Sequence, residues 1–237
     1  MNAAILTSHR GACVDGKDRY KCLKTYGLER NVLEGNACNV LLHRLAKCGD
    51  LKEARGLFDQ LEFRDVISWN ALITGYALLG DSEHVFYTID RMIVTGAKPD
   101  IITLMSVLNA CSQAGLVEKG QLYFETFITD YGISPTIEHY NCIIDLLCRA
   151  GHIDKAIGMT KKMPFHPGIV VWHTILGACR KWGNIELGRY AFERAIQLDE
   201  KDVSVYICMC NIYVDASMEE EAKAIDAMRL RVEYEAQ

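Results

Sequence analysis

The chain has 237 residues, 50% hydrophobic and 24% charged with only 4 prolines. That composition excludes wholesale disorder and a collagen-like fibre, and it leaves room for long helices. Lys and Arg number 26 against 31 Asp and Glu, a formal net charge of -5, which excludes a general polyanion binder but not one that reads a few bases with neutral side chains. No run of about 18 apolar residues is present, so no membrane span is expected. Residues 1–17 lack the apolar core of a secretory signal and contain a single arginine, Arg10, a poor match to a transit peptide. Of the ten cysteines, Cys38, Cys111, Cys142, Cys179 and Cys208 fall inside apolar helical patterns, where a free thiol acts as a small apolar residue. This favours a reducing compartment over a disulfide framework.

Taken in chain order, the predicted elements repeat. Segments starting at Cys38, Trp69, Leu104, Tyr140, Trp172 and Tyr206 share one pattern, at steps of 31, 35, 36, 32 and 34 residues. In each unit a second segment starts 13 residues later, at Leu51, Ser82, Val117, Ile153, Ile185 and Glu219. Both halves read as helices. Trp69, Leu72, Ile73 and Tyr76, for example, fall on one face of a 3.6-residue period. Gly49, Gly80, Gly115, Gly151 and Gly183 recur where the first helix of a pair should end in a left-handed residue, with Ser217 in that place in the last unit. Asp50, Asp81 and Asn184 follow and can cap the second helix, and Pro99, Pro135 and Pro167 are expected to stop it. A helix pair of this size cannot bury its apolar stripe alone. The expected fold is therefore all-α, an α-solenoid (right-handed superhelix) of tandem antiparallel helix pairs.

The variable period does not suit tetratricopeptide repeats, which hold to 34 residues. Ser68-Trp69-Asn70-Ala71-Leu72-Ile73-Thr74-Gly75-Tyr76, then Gly80, then Gly96-Ala97-Lys98-Pro99-Asp100 closely resemble a pentatricopeptide repeat. The alternating lengths resemble the plant P-L-S subclass. By this resemblance 35–65 is a short repeat, 66–100 a standard one, 101–136 a long one and 137–168 a short one. Segment 169–202 resembles a first C-terminal extension motif and 203–237 a second, while 1–34 resembles a degenerate partial long repeat. The resemblance implies an organellar RNA-binding protein, in mitochondrion or plastid. Its expected role is site recognition for C-to-U RNA editing, with editing-complex proteins engaged through the extension motifs and no DNA or membrane partner.

In such arrays one repeat reads roughly one base. The family places the main reader at a repeat's fifth residue and its helper at the last. Carried over, the readers are Asn39, Asn70 and Asn141, with Asp65 and Asp100 as helpers for the first two and Gly168 in the third place. A carboxamide carries a donor and an acceptor and can match a pyrimidine's Watson–Crick edge. By resemblance an Asn/Asp pair favours uridine. The alternative for each Asn is a local capping or solvent-facing role. The long repeat supplies Met105 with Thr136, and Met105 makes no base-specific hydrogen bond. Ile67 stands where relatives wedge bases apart, or else packs between repeats. Lys47, Arg149, Arg180 and Lys181 follow first helices and can touch phosphate or complement the helix dipole. Trp69 and Trp172 are expected to pack between helices.

Catalytic signatures are missing from the sequence. None of the seven histidines is followed two residues later by Glu, and Cys208 and Cys210 have one residue between them, so no zinc deaminase motif is formed. No Walker loop or nucleophile elbow is present. No enzyme activity, metal or cofactor is expected, and any deaminase would act in trans. Two other readings stay open: a protein-interaction scaffold with little RNA binding, and a truncated family member with too few readers to bind tightly.

Overall fold

The computed structural model describes residues 35–235, so the expected leading remnant, 1–34, lies outside the described residues. Twelve helices are described: α1 (Gly35–Lys47), α2 (Leu51–Gln60), α3 (Val66–Leu78), α4 (Ser82–Val94), α5 (Ile101–Ala114), α6 (Val117–Thr129), α7 (Ile137–Arg149), α8 (Ile153–Lys162), α9 (Ile169–Trp182), α10 (Ile185–Leu198), α11 (Val203–Asp215) and α12 (Glu219–Glu235). None of them is long and apolar enough to cross a membrane. The described residues divide into two compact units, with the division between Ser106 and Val107, inside α5.

In the first unit α1 packs on α2 and α3, and α3 packs on α2 and α4. In the second, α7 packs on α6, α8 and α9, α9 on α10 and α11, and α11 on α10 and α12. Within each unit, first helices thus touch their own partner and the neighbouring first helix, the packing by which tandem pairs share a core. The large side chains at the repeating landmark are buried as expected. Trp69 is 1% exposed and meets the Phe58 ring edge-on at 4.7 Å between centroids. Trp172 meets Tyr190 at 6.0 Å, and Tyr206 meets Phe192 at 5.4 Å. Fully burying a side chain of this kind stabilises by about 1.5–3 kcal/mol. Gly75 lets α3 approach α1 closely: a Cβ there would lie 2.5 Å from the Ala46 Cβ.

The turns within the pairs repeat bond for bond. The N–H of Asp50, Asp81, Leu116, His152, Asn184 and Met218 donates to the carbonyl of Leu45, Tyr76, Cys111, Leu147, Cys179 and Tyr213 respectively, each five residues back. This six-to-one bond requires a left-handed residue just before the donor. Gly183 supplies it at φ 68, and Ser217, where glycine is replaced, adopts φ 59 and keeps the same turn. Asp50, Asp81 and Asn184 cap the following helices through their side chains, accepting from Glu53, His84 and Leu187 N–H. The prolines behave differently from expectation. Helix α4 ends at Val94, before a left-handed Gly96, and α6 ends at Thr129, before a left-handed Gly132. Pro99 and Pro135 lie beyond helices that have already stopped.

Cys38, Cys111, Cys148 and Cys179 are buried free thiols. Burial, joined for Cys148 by the neighbouring Cys179 and Asp145 and for Cys179 by Cys208, pushes both up to about 12, so they stay protonated and pack as apolar groups.

Candidate nucleic-acid interface

Helices α3, α7 and α9 are each entered through an N-cap residue with extended backbone, Asp65, Thr136 and Gly168. Asp65, at φ -83 and ψ 175, caps α3 by accepting from Ser68 N–H at 2.8 Å. The same carboxylate reaches back to the preceding repeat. Asn39 Nδ2 donates to both of its oxygens, at 3.1 and 3.0 Å. The Ser68 hydroxyl stands 2.7 Å from Asn39 Oδ1 and 2.8 Å from Asp65 Oδ1, and its single proton serves one acceptor at a time. Burial raises the Asp65 carboxyl, but bonds from Ser68, Asn39 and the Ile67 N–H outweigh it and hold the group below the ordinary carboxylate value.

One repeat later the arrangement recurs. Asp100 accepts from Ile102 N–H at 2.9 Å and Thr103 N–H at 3.0 Å. Asn70 Nδ2 donates to Asp100 Oδ1 at 2.8 Å, and the Thr103 hydroxyl donates to Asn70 Oδ1 at 2.6 Å. The sequence-predicted partners Asn39 with Asp65, and Asn70 with Asp100, are therefore brought together. The alternative, solvent-facing role is not found: Asn39 and Asn70 are each 5% exposed. The hydroxyls of Ser68 and Thr103 cause this, because each ties the amide oxygen while the carboxylate ties the nitrogen. On Asn70 one amide hydrogen and one oxygen lone pair remain, still a donor beside an acceptor, and the same holds for Asn39 when a single N–H is shared between the two Asp65 oxygens.

The third reader differs. Gly168 has no side chain and caps α9 without a side-chain bond. Val171 stands in the phase of Ser68 and Thr103 and carries no hydroxyl. Asn141 Oδ1 is consequently buried with no hydrogen-bond partner. Within 101–136, Thr136 caps α7 through a capping box with His139, and Met105 is half-buried.

Ile67 is 58% exposed, which removes the packing role and leaves an apolar side chain projecting beside the Asn–Asp pair. Ile102 and Val170, in the same phase, are 52% and 60% exposed. Among the expected phosphate contacts, Lys47 is exposed, Arg149 donates to Asp145 at 2.7 Å, and Arg180 donates to Asp215 at 2.9 Å. Lys181 lies 5.0 Å over the Trp182 ring. Trp182 Nε1–H donates to the Cys148 carbonyl at 3.0 Å, so that ring is tied to α7. Among the described residues no group of three His, Cys, Asp or Glu is placed to hold a metal.

Sequence reasoning missed two features. Ser68 and Thr103 were in plain view as hydroxyl residues three places past the helper, in two successive units. The other is His173, in segment 169–202, which follows Trp172 as Asn70 follows Trp69. Its Nε2 lies 2.6 Å from Asp202 Oδ2, and Asp202 caps α11 by accepting from Ser204 N–H. Burial raises the Asp202 carboxyl, and bonds from Ser204 and His173 bring it below the ordinary value.

Three segments match family models: 37–66 and 131–164 the PPR repeat, and 58–114 the pentatricopeptide repeat domain. The chloroplastic pentatricopeptide repeat-containing protein CRR2 of Arabidopsis thaliana is 41% identical over 187 residues, 79% of this chain and 28% of that one. A mitochondrial pentatricopeptide repeat-containing protein of the same plant is 43% identical over 178 residues, 75% of this chain and 28% of that one. The chain thus spans little more than a quarter of the length of these relatives. The crystal structure of PPR10 from maize covers 91% of this chain and 33% of its own at a TM-score of 0.68 and 21% identity. PPR10 in complex with an 18-nt psaJ RNA element gives 0.59 at 20% identity, over 91% of this chain and 32% of its own, and both likenesses bear on the fold. With its repeating turns, its landmark aromatics and these matches, the chain belongs to the pentatricopeptide repeat family, an all-α solenoid of tandem helix pairs.

Proposed function

We propose that this chain recognises single-stranded RNA in an organelle, reading one uridine with Asn39 and Asp65 and a second with Asn70 and Asp100. The observation that carries the reading is the recurrence of one buried Asn–Asp–hydroxyl cluster a repeat apart, with Ile67 exposed beside it. A structural capping role needs only the Asp and the next backbone N–H. It does not need an Asn from the preceding repeat held at both ends of its amide. An amide pre-set in this way loses little freedom when a base docks, and that lowers the cost of binding. In support, PPR10 has been crystallised with an RNA element, and the relatives named above are chloroplastic and mitochondrial proteins.

The finer reading is site recognition for C-to-U editing, with the deaminase supplied by another chain. On this reading 35–65, 66–100, 101–136 and 137–168 are the short, standard, long and short repeats, and 169–202 and 203–237 are extension motifs that also meet editing-complex proteins. The chain's own residues bind and orient RNA and take no covalent step. With a net charge of -5, affinity comes from these readers more than from phosphate attraction.

The test is titration with U-rich and A-rich single-stranded RNA at several salt concentrations, followed by fluorescence anisotropy. U-rich RNA is expected to bind more tightly at every salt concentration, and Asn70→Ala is expected to erase the preference at one base. Steep salt dependence with no base preference would reduce the binding to phosphate attraction and sink the proposal.

A further inference from the structure

We propose that Trp182, at the exit of α9, is a platform on which an unpaired RNA base stacks; this rests on the RNA-binding reading above. The residue lies at the opposite end of its helix from the entry residue Gly168, ten residues after Trp172 and directly before the left-handed Gly183. The same place holds Cys48, Leu79, Ala114, Ala150 and Ala216 in the other units, and all six turns close with the same backbone bond. The turn therefore needs no aromatic ring there. Leu79 lies on the turn glycine of the preceding pair, 3.7 Å from a Cβ built at Gly49. An indole is far larger than that cover requires. Trp182 accordingly stays 49% exposed, whereas Trp69 and Trp172 are buried.

The ring is held as a fixed surface. A Cβ at Gly151 would meet Trp182 Cε2, Cδ2 and Cζ2 at 3.1, 3.2 and 3.3 Å, nearly equal distances that put Gly151 under the ring face. Nε1–H is anchored on the Cys148 carbonyl at 3.0 Å. With one face and one edge taken, the exposed area belongs mainly to the opposite face, where Lys181 Nζ lies 5.0 Å from the centroid. Cys148 and Lys181 also line a groove of about 380 Å³ between α7 and α9, together with Arg149, Thr174 and Gly177. The groove thus leads to the ring past two exposed cations, Arg149 and Lys181. A cationic groove that follows the backbone, with an aromatic face on which a base stacks, is the combination that binds single-stranded nucleic acid. An exposed lysine leaves the ring readily, and Lys181 is then placed for the phosphate of the stacked nucleotide. Every base has a π-face, so the contact adds affinity without selecting a base, unlike Asn39 and Asn70.

The experiment uses the whole chain and the U-rich RNA of the titration above. Trp69 and Trp172 are buried, so quenching of tryptophan fluorescence by acrylamide reports on Trp182. Saturating RNA is expected to shield Trp182 from acrylamide. Trp182→Leu, which installs the side chain that Leu79 has in this place, should abolish the RNA-dependent change and weaken binding about tenfold by anisotropy. Trp182→Phe keeps an aromatic face but loses Nε1–H, and should bind within about threefold of the unaltered chain. The preference for U-rich over A-rich RNA should persist in both variants, which controls for their folding. If RNA binds while Trp182 stays open to acrylamide, the ring is left for a protein partner and the platform is overturned. Equal affinities of Trp182→Phe and Trp182→Leu would overturn it too, reducing the ring to its bond with Cys148. In either case the RNA-binding reading stands. If the unaltered chain binds no RNA, both fall together.

Discussion

The clusters around Asn70 and Asn141 make an instructive pair. Both asparagines follow a buried aromatic, Trp69 or Tyr140, at the start of a first helix. Around Asn70 the carboxylate of Asp100 and the hydroxyl of Thr103 saturate one donor and one acceptor of the amide. Around Asn141 the corresponding residues are Gly168 and Val171, and an amide oxygen is left buried without a partner. The backbone is the same in the two kinds of site: Gly168 sits at φ -78 and ψ 172, nearly the conformation of Asp65. What differs is two side chains. The fold therefore supplies a cradle in each repeat, and local chemistry decides whether the cradle is closed.

The largest effect should come from opening a closed site. Asp100→Ala removes the cap of α5 and strips the Asn70 amide of its acceptor, a loss of about 2 kcal/mol in urea denaturation. A loss within experimental error would mean that the cluster contributes nothing and that the comparison with Asn141 is empty. Closing the open site should work in the other direction. Nothing lies within 4 Å of a Cβ added at Gly168, so Gly168→Asp fits without strain. It should cap α9, stabilise by about 1 kcal/mol and confer a uridine preference at the base Asn141 faces. Unchanged stability together with unchanged base preference would show that the cradle is not transferable.

A subtler change is Val171→Thr. Placing a hydroxyl on a buried valine ordinarily costs about 1–3 kcal/mol when the group finds no partner. Here Asn141 Oδ1 awaits a donor, so the substitution should be neutral to within about 0.5 kcal/mol, by the same denaturation measurement. The full penalty would place Asn141 out of reach of residue 171.

The smallest effect concerns pH. The Asp65 carboxyl lies below its unfolded value, so the stability it contributes is present above that value, about pH 4. It is lost as pH falls from there through the lower folded value. The side-chain amide NMR signals of Asn39 should shift over that acid range, and Asp65→Asn should abolish the shift. A signal unmoved by acid in the unaltered chain would break the inferred link between Asn39 and Asp65.

Much of this was legible in the residues. Five of the six turns follow from glycine at one phase, because a left-handed residue is what a helix needs to close its last carbonyls. Even Ser217 could be placed, although only its φ of 59 shows a serine accepting the glycine conformation. Asn39, Asn70, Asp65 and Asp100 were picked out by the family resemblance, which assigns them by their place in the repeat. Their burial was not legible, because it depends on hydroxyls 29 and 33 residues away in sequence, Ser68 on Asn39 and Thr103 on Asn70. His173 escaped for a different reason: a search for amides passes over an imidazole, although the two occupy the same place.

The amino-acid sequence by itself determined the helices, their pairing in tandem and the family, because these rest on local periodicity and on turn chemistry that acts within a few residues. Only the tertiary structure decided which asparagines are held at both ends of the amide and which is left with an orphaned oxygen. Those outcomes depend on atoms from successive repeats meeting within 3 Å or so, and the local pattern of either repeat taken singly does not contain that meeting.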